Sequence, residues 1–319
     1  MKRFKNILVI LNSEGLSHAV LARAVWLAHA NAATLTLFAV QESGDVDLNW
    51  LAANLSGSGA PGLSARLAAA LQDDLNEIAH SLTTADGIAP DRIRTVVTRG
   101  SGHTEIIQQV LRAQHDLVLK GADQSFDWRT LGGADLNLLR KCPCPVWILN
   151  SAVEPKAERI MATVVPDSEN TMRTALNHKV MQVATSLAVQ DSARLDVLNA
   201  WYLYEEHLLR GRRSYTPGKE VDALLEETRR QSRWALNQLT QDYGGIAPET
   251  QVLHVKGLPA DVITQHAEDQ RIDTLVMGTR ARDGLTGMLI GNTSETVLNR
   301  VKCSVLVVKP DNFISPIGL

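Results

Sequence analysis

An internal repeat constrains this chain more than any other feature of its sequence. An apolar run that ends at Asn12-Ser-Glu recurs as a second run that ends at Asp167-Ser-Glu. The two copies also finish alike, because Cys144-Pro-Val-Trp-Ile-Leu is matched by Cys303-Ser-Val-Leu-Val-Val. A repeat of roughly 150 residues has the length of a whole domain. The 319 residues are therefore predicted to form two domains, 1–150 and 157–311.

Each copy alternates short apolar runs with longer segments of helical periodicity. The runs are mostly rich in β-branched residues, which is typical of buried parallel strands. Segments such as 175–189 and 221–243 place apolar residues at helical spacing. This alternation predicts an α/β fold in which a parallel sheet carries helices on both faces. The predicted strands are Ile7–Leu11, Thr34–Val40, Arg94–Val97, Leu117–Lys120 and Pro145–Leu149 in the first copy, and Ile160–Val165, Leu195–Ala200, Gln251–Val255, Thr274–Met277 and Ser304–Val308 in the second.

Composition excludes several classes of protein. The net charge is −3 and neither copy is basic, which disfavours nucleic-acid binding. The apolar runs are shorter than the roughly 20 residues that a transmembrane helix needs, so no membrane association is expected. Three cysteines are too few for a disulfide framework, and the first apolar run is too short for a secretory signal. We therefore expect a cytoplasmic protein with free thiols.

A glycine-rich segment near the end of the second copy is the strongest candidate for a ligand site. A predicted strand ends at Met277-Gly278, and a segment that contains Arg280 leads to Gly291-Asn292-Thr293, where a helix begins. Glycines let a backbone approach a phosphate closely, and the N–H groups of a helix N-terminus bind anions. The same residues allow a second interpretation, because Asn292 followed by Glu295 is also a capping box that needs no ligand.

The spacing of that segment resembles a known family. Gly278-x-x-Ala281, nine further residues and Gly291-Asn292-Thr293 resemble the nucleotide loop of universal stress proteins, G-x-x-G-x9-G-[ST]. Pro166-Asp167-Ser-Glu169 resembles the first loop of the family, and Cys142-Pro-Cys-Pro-Val-Trp147 is similar to its tandem members. The resemblance covers nearly the whole chain. It implies two tandem Rossmann-like domains, each a five-stranded parallel sheet flanked by helices, which mimic within one chain the dimer of single-domain members.

The resemblance also implies a cofactor and the residues that hold it. ATP, with Mg²⁺, is the expected ligand, and it would bind in the second domain only. Asp167 would lie near the adenine and the ribose, and the backbone of Ala200, at a strand end, would meet the base. Met277 is also expected among the residues that bind the nucleotide. The phosphates would be lined by Gly278, Arg280, Gly291, Asn292 and Thr293.

Both copies depart from the family pattern. In the second copy Ala281 stands at the second glycine of the loop, and its methyl group either is tolerated or blocks close approach. In the first copy Gln124 replaces a glycine, Asp123 and Asp127 place acids in the loop, and Asn12 replaces a carboxylate. Since acids oppose a triphosphate by like charge, the first copy is not expected to bind ATP as the family does.

Together these features predict a stress-response protein that acts as a ligand-binding regulatory module rather than as an enzyme. No catalytic and no metal-binding residue is assigned. The expected partners are an adenine nucleotide or another small molecule, a regulatory protein and, as a homodimer, a second chain. Two alternatives stay open. In one, segments after the second strand enclose an apolar or lipid-like ligand near Trp201–Tyr204; in the other, the chain is a slow ATPase or self-phosphorylating protein that uses Asp283 or Glu295.

Overall fold

The protein consists of two compact α/β units. The computed structural model describes residues 4–11, 18–42, 63–122, 131–150, 156–167, 170–211, 216–279 and 291–319. The first unit contains the described residues up to 150 together with 313–319, and the second contains the described residues from 156 to 312.

The described residues of the first unit form one sheet of parallel strands with helices between them. The elements in chain order are β1 (Asn6–Leu11), α1 (His18–Asn31), β2 (Thr34–Glu42), α2 (Leu63–Thr84), a 3₁₀ turn (Pro90–Arg92), β3 (Ile93–Gly100), α3 (Gly102–Ala113), β4 (Leu117–Gly121), α4 (Gly133–Lys141) and β5 (Val146–Leu149). The strands pair in the order β3-β2-β1-β4-β5, and every pairing is parallel.

The described residues of the second unit repeat this arrangement. Its elements are β6 (Arg159–Thr163), α5 (Thr171–Asp191), β7 (Arg194–Trp201), α6 (Glu206–Leu209), α7 (Gly218–Gln241), β8 (Glu249–Lys256), α8 (Pro259–Asp269), β9 (Thr274–Gly278), α9 (Asn292–Leu298) and β10 (Ser304–Val308). The strands pair in the order β8-β7-β6-β9-β10, again all parallel.

The predicted fold is confirmed. Each predicted strand overlaps an observed strand, and the ends differ by at most three residues. The inner strands were predictable because their side chains are buried on both faces, as Ile7, Leu8 and Val9 of β1 show, so the apolar run is continuous instead of alternating. The edge strands β3 and β8 have half-buried and exposed side chains. Within the described residues, no helix combines the length and the apolar character needed to cross a membrane.

The repeat extends to side-chain contacts. Asp116, just before β4, accepts hydrogen bonds from the backbone N–H groups of residues 5 (2.6 Å) and 6 (3.0 Å). In the second unit Asp273, just before β9, accepts the same bonds from residues 158 (2.8 Å) and 159 (2.9 Å). A carboxylate therefore fixes the start of the central strand in each sheet.

The strand order marks the place where each sheet can bind a ligand. From β6 the chain proceeds to β7 and β8 on one side, and then returns to β9 and β10 on the other. The direction of winding reverses between β6 and β9. In open parallel sheets, ligands bind outside the carboxyl ends of the strands at such a switch point.

Candidate functional site

Three strands of the second unit end side by side at the switch point. Thr163 of β6 is paired with residue 198 of β7 and with Met277 of β9. Met277 is buried, whereas Ala200 is half-buried near the end of β7. The carboxyl edge of the second unit therefore brings together the predicted residues that follow these positions, namely Asp167 after β6, Ala200 on β7 and Gly278 on β9.

Two buried asparagines hold the segment between β6 and Asp167. The side chain of Asn177, on α5, accepts a hydrogen bond from the Val165 N–H (3.1 Å) and donates one to the Val165 carbonyl (2.8 Å). The Nδ2 of Asn199, on β7, donates to the Val164 carbonyl at 3.0 Å. These bonds occupy backbone groups that a strand partner would otherwise need, which explains why β6 ends at Thr163 and not at Val165 as predicted.

Asp167 lies at the N-terminal end of α5. Its Oδ2 is 2.8 Å from Nη1 of Arg173, and its carbonyl accepts a hydrogen bond from Thr174 Oγ1 at 2.8 Å. Asn170 caps the helix by accepting from the Arg173 N–H at 2.9 Å. A carboxylate in this position is stabilised by the helix dipole and by the guanidinium group. Asp167 is therefore held in place before any ligand binds.

A pair of adjoining cavities lies beside Asp167, between α5 and α7. One has a volume of about 550 Å³ and the other of about 300 Å³. Both are lined by Pro166, Asp167, Trp234 and Ala235. Trp234 is a large aromatic side chain that remains 55% exposed. Trp234 carries no signal in the sequence, because it follows Asp167 by more than sixty residues and lies in an ordinary helical pattern.

A polar network forms the wall of the larger cavity. Ser232, which lines that cavity, donates from Oγ to Asn199 Oδ1 at 2.9 Å. The Nε2 of His254, on β8, lies 3.2 Å from Ser232 Oγ, and the ring of Trp201 stacks on His254 with centroids 5.4 Å apart. Burial, followed by the charges of two nearby arginines, lowers the pKa of His254 to about 4. At neutral pH the network therefore contains a neutral imidazole.

The two glycines of the predicted phosphate loop have different surroundings. A Cβ atom added to Gly278 would lie 2.8 Å from Cγ of Leu176, so the packing of α5 favours glycine there and any larger residue would displace the leucine. A Cβ atom added to Gly291 would meet no atom of the described residues within 4 Å. Gly291, rather than Asn292, is the N-cap of α9, and it makes no side-chain cap hydrogen bond. The interpretation of Asn292 and Glu295 as a capping box is therefore wrong.

The remaining predicted phosphate residues are only partly described. Asn292 and Thr293 are exposed in the first turn of α9. Arg280 and Ala281 lie outside the described residues. A cation that the sequence analysis missed lies nearby, because Lys309, after β10, is buried and donates to Thr279 Oγ1 at 2.7 Å. The second unit therefore has a positive side chain at the position where the loop leaves β9.

The corresponding place in the first unit contains a buried ion pair. Lys120, the fourth residue of β4, lies 2.8 Å from Oδ1 of Asp135, the third residue of α4, and both side chains are buried. The second unit has Met277 and Ser294 at these two places. An acid of the protein thus occupies the first turn of α4. The acids predicted to oppose ATP, Asp123 and Asp127, and also Gln124 and Asn12, lie outside the described residues.

The residues proposed to enclose an apolar ligand do not line the two cavities beside Asp167. Trp201 is buried against His254, whereas Tyr202 and Tyr204 are 40% and 72% exposed. None of the three lines either cavity of the second unit described above. The segment that follows is held by ion pairs, since Glu206 of α6 binds Lys256 at 2.8 Å and Arg210 at 3.0 Å.

The cysteines have the surroundings of structural residues. Cys142 and Cys144 are buried with their sulfur atoms 3.6 Å apart. Burial raises the pKa of Cys144 well above its usual range and that of Cys303 to about 12. Thiols in this state are poor nucleophiles. In the part of the chain that the structure describes, no group of three or more His, Cys, Asp or Glu residues is arranged to hold a metal ion.

Comparison with known proteins identifies relatives across both units. The family model of the universal stress protein family matches residues 3–150 and 158–309. Universal stress protein E of Escherichia coli K12 is 33% identical over 217 residues, which is 67% of this chain and 67% of that protein. The universal stress protein E homolog of Haemophilus influenzae is 25% identical over 319 residues, which is 97% of this chain and 98% of that protein.

Solved structures show the same fold over nearly the whole chain. A protein of unknown function from Pseudomonas aeruginosa PAO1 superposes with a TM-score of 0.70 at 24% identity, covering 98% of this chain and 94% of that one. A universal stress protein from Archaeoglobus fulgidus DSM 4304 superposes with a TM-score of 0.62 at 18% identity, covering 95% and 98%.

Proposed function

Because the chain belongs to the universal stress protein family, we propose that its second unit binds an adenine nucleotide at the carboxyl edge and that its first unit does not. The protein then acts as a stress-response module in which ligand binding in one unit alters the binding of a regulatory partner. The observation that carries this proposal is the difference between the two carboxyl edges. The edge of the second unit has cavities beside Asp167. In the first unit an internal ion pair between Lys120 and Asp135 stands at the places that Met277 and Ser294 have on β9 and α9 of the second unit.

The nucleoside end of the ligand fits the side of the edge formed by β6 and β7. Asp167 would accept a hydrogen bond from the ribose, and the backbone of Ala200 would approach the base. The cavities of about 550 and 300 Å³ beside Asp167 are within the usual size range of small-molecule sites. Both cavities adjoin Asp167, which follows the carboxyl end of β6, one of the two strands that border the switch point.

The phosphate end fits the side formed by β9 and α9. Gly278, Gly291, Asn292 and Thr293 would line it, together with Arg280. Among the described residues, no atom lies within 4 Å of a Cβ position at Gly291, which is compatible with a ligand group close to the backbone. The ammonium group of Lys309, next to Thr279, adds favourable charge. Bound Mg²⁺ would neutralise part of the phosphate charge.

Calorimetric titration of nucleotide-stripped protein with Mg-ATP tests this proposal. The expected result is saturable binding of one nucleotide per chain. Gly291→Trp should abolish it, because the indole would take the space beside the backbone where the phosphates are proposed to bind. Gly133→Trp is the matched control, since an added Cβ there also meets no described atom within 4 Å and the residue lies at the start of α4 in the first unit.

Two results would contradict the proposal. Absence of heat up to near-millimolar ATP would show that the second unit has no such site. Loss of binding in Gly133→Trp but not in Gly291→Trp would place the nucleotide in the first unit. An apolar ligand and a slow ATPase reaction remain alternatives, and the described residues provide no specific observation that favours either one.

A further inference from the structure

Trp234 and Pro166 give the larger cavity an apolar wall beside Asp167. Trp234 lies on α7, and its half-exposed ring lines the space together with Pro166. Nucleobases stack on aromatic side chains, and such stacking contributes about 1–3 kcal/mol per base. An exposed tryptophan at a cavity wall is therefore suited to a flat ring.

The charged groups of this cavity are already paired. Asp167 contacts Arg173 at 2.8 Å, and Arg230 contacts Glu227 at 2.6 Å. The cavity thus has little net charge to offer to a phosphate group. It suits the uncharged part of a nucleotide, with the phosphates directed toward Lys309 and α9.

The Val164 carbonyl, which can only accept, decides which group donates in each hydrogen bond of the network behind the cavity. Asn199 Nδ2 must donate to the Val164 carbonyl, so Asn199 Oδ1 faces Ser232. An amide oxygen can only accept, and therefore Ser232 donates its single hydroxyl hydrogen to it. His254 Nε2, at 3.2 Å, then bonds to Ser232 Oγ only as a donor. The neutral imidazole carries its hydrogen on Nε2 in this arrangement.

This order leaves Ser232 with one way to contact a ligand. A hydroxyl oxygen has two lone pairs, and one of them accepts from His254. The other can accept a hydrogen bond from a group in the cavity, but no hydroxyl hydrogen remains to be donated. Ser232 therefore favours a base edge with an amine over one with a carbonyl oxygen.

We propose that Trp234 and Ser232 form the base-recognition subsite of the second unit, in which Trp234 stacks on a purine and Ser232 selects its exocyclic amine. The inference rests on the proposed nucleotide function and adds residues and a specificity to it. Asn199 and His254 act as positioning residues, since they act on the ligand only through Ser232. Adenine satisfies the subsite, whereas hypoxanthine, which has a carbonyl oxygen in place of the amine, does not.

Titrations of the full chain with adenosine and inosine test the subsite without any phosphate contact. Tryptophan fluorescence and calorimetry are the readouts. The wild-type chain should bind adenosine at least about fivefold more tightly than inosine, because an acceptor facing an acceptor loses a hydrogen bond. Trp234→Ala should weaken adenosine and Mg-ATP binding alike by about 5- to 150-fold, and Trp234→Phe should retain most of the affinity.

Matched variants separate recognition from folding. Ser232→Ala should reduce the preference for adenosine over inosine, and Ser232→Thr, which keeps the hydroxyl, should preserve it. Thr228→Ala is the control on the same cavity wall, because Thr228 Oγ1 already donates to the Leu224 carbonyl at 2.8 Å. Leu224→Ala controls for loss of an exposed apolar side chain on α7 outside the cavity.

The outcomes distinguish the subsite from the proposed function. If Mg-ATP binds the wild-type chain and Trp234→Ala equally well, the subsite is refuted and the nucleotide function stands. Equal affinities of the wild-type chain for adenosine and inosine refute the role of Ser232. If neither Mg-ATP nor adenosine binds at millimolar concentration, both proposals fail.

Discussion

Removal of Lys120 is the perturbation whose effect the structure defines most sharply. Lys120 Nζ lies 2.8 Å from Asp135 Oδ1 and also donates to the Gly121 carbonyl at 3.1 Å, and both charged side chains are buried. At an effective dielectric constant of about 20, two unit charges at this distance attract by about 6 kcal/mol. Desolvation costs several kcal/mol for each ion, so the intact pair contributes little net stability.

Loss of one partner has a much larger effect than loss of both. Lys120→Met leaves the carboxylate of Asp135 buried without this cation, and we expect the first unit to lose about 3–5 kcal/mol. Asp135→Ser should cost a similar amount. The double variant introduces the residues that the second unit has at these places, Met277 and Ser294, and should lie within about 2 kcal/mol of the wild-type stability.

The assay must report on one unit, because a chain with two units need not unfold in a single step. Hydrogen exchange of the amides of β4 and α4 measures the opening free energy of this part of the first unit. The matching amides of β9 in the second unit serve as an internal control. A single variant that loses less than about 1 kcal/mol, or a double variant whose loss is the sum of the two single losses, would refute the reasoning.

Two further predictions concern the second unit. Gly278→Ala should destabilise it by about 1–3 kcal/mol, because the new methyl group would meet Leu176 at 2.8 Å. Gly291→Ala, whose methyl group meets no described atom within 4 Å, should change stability by less than about 1 kcal/mol. Equal losses of the two variants in denaturant melts would contradict this. The pKa of His254 is lowered to about 4 in the folded chain, whereas an unfolded histidine binds its proton near pH 6.5. The unfolded state therefore takes up the proton first, and stability should fall as the pH decreases from about 6.5 to 4. His254→Gln, which keeps a donor but does not titrate, should lose less over that range; parallel pH profiles would show that the histidine plays no part.

The sequence was most informative about elements that pack by a regular pattern. Strands such as Ser304–Val308 were predicted with their observed ends, because burial on both faces produces an unbroken apolar run. Errors were concentrated at strand ends. The strand predicted as Ile160–Val165 ends at Thr163 because Asn177 and Asn199 form hydrogen bonds with the backbone of residues 164 and 165. The residues next to each asparagine in the sequence give no indication of these bonds.

The candidate site was harder to predict for a related reason. The pattern around Gly278 and Gly291 suggested one shared role in phosphate binding, but the glycine at 278 is favoured by packing against Leu176 on a distant helix. Asn292 was a plausible helix cap from its spacing to Glu295, yet α9 begins one residue earlier than that interpretation requires, at Asn292 itself. Trp234 gave no signal, since a tryptophan in an amphipathic helix usually belongs to a core.

The sequence by itself determined the duplication, the alternation of strands and helices and the edge of the sheet where a ligand can bind. These properties depend on the periodicity of neighbouring residues, which the chain carries locally. Only the tertiary structure decided that Trp234 and Ser232 lie beside Asp167 and that Lys120 pairs with Asp135. Such contacts depend on how each helix is rotated and placed on the sheet, and that placement is set by the packing of the whole core.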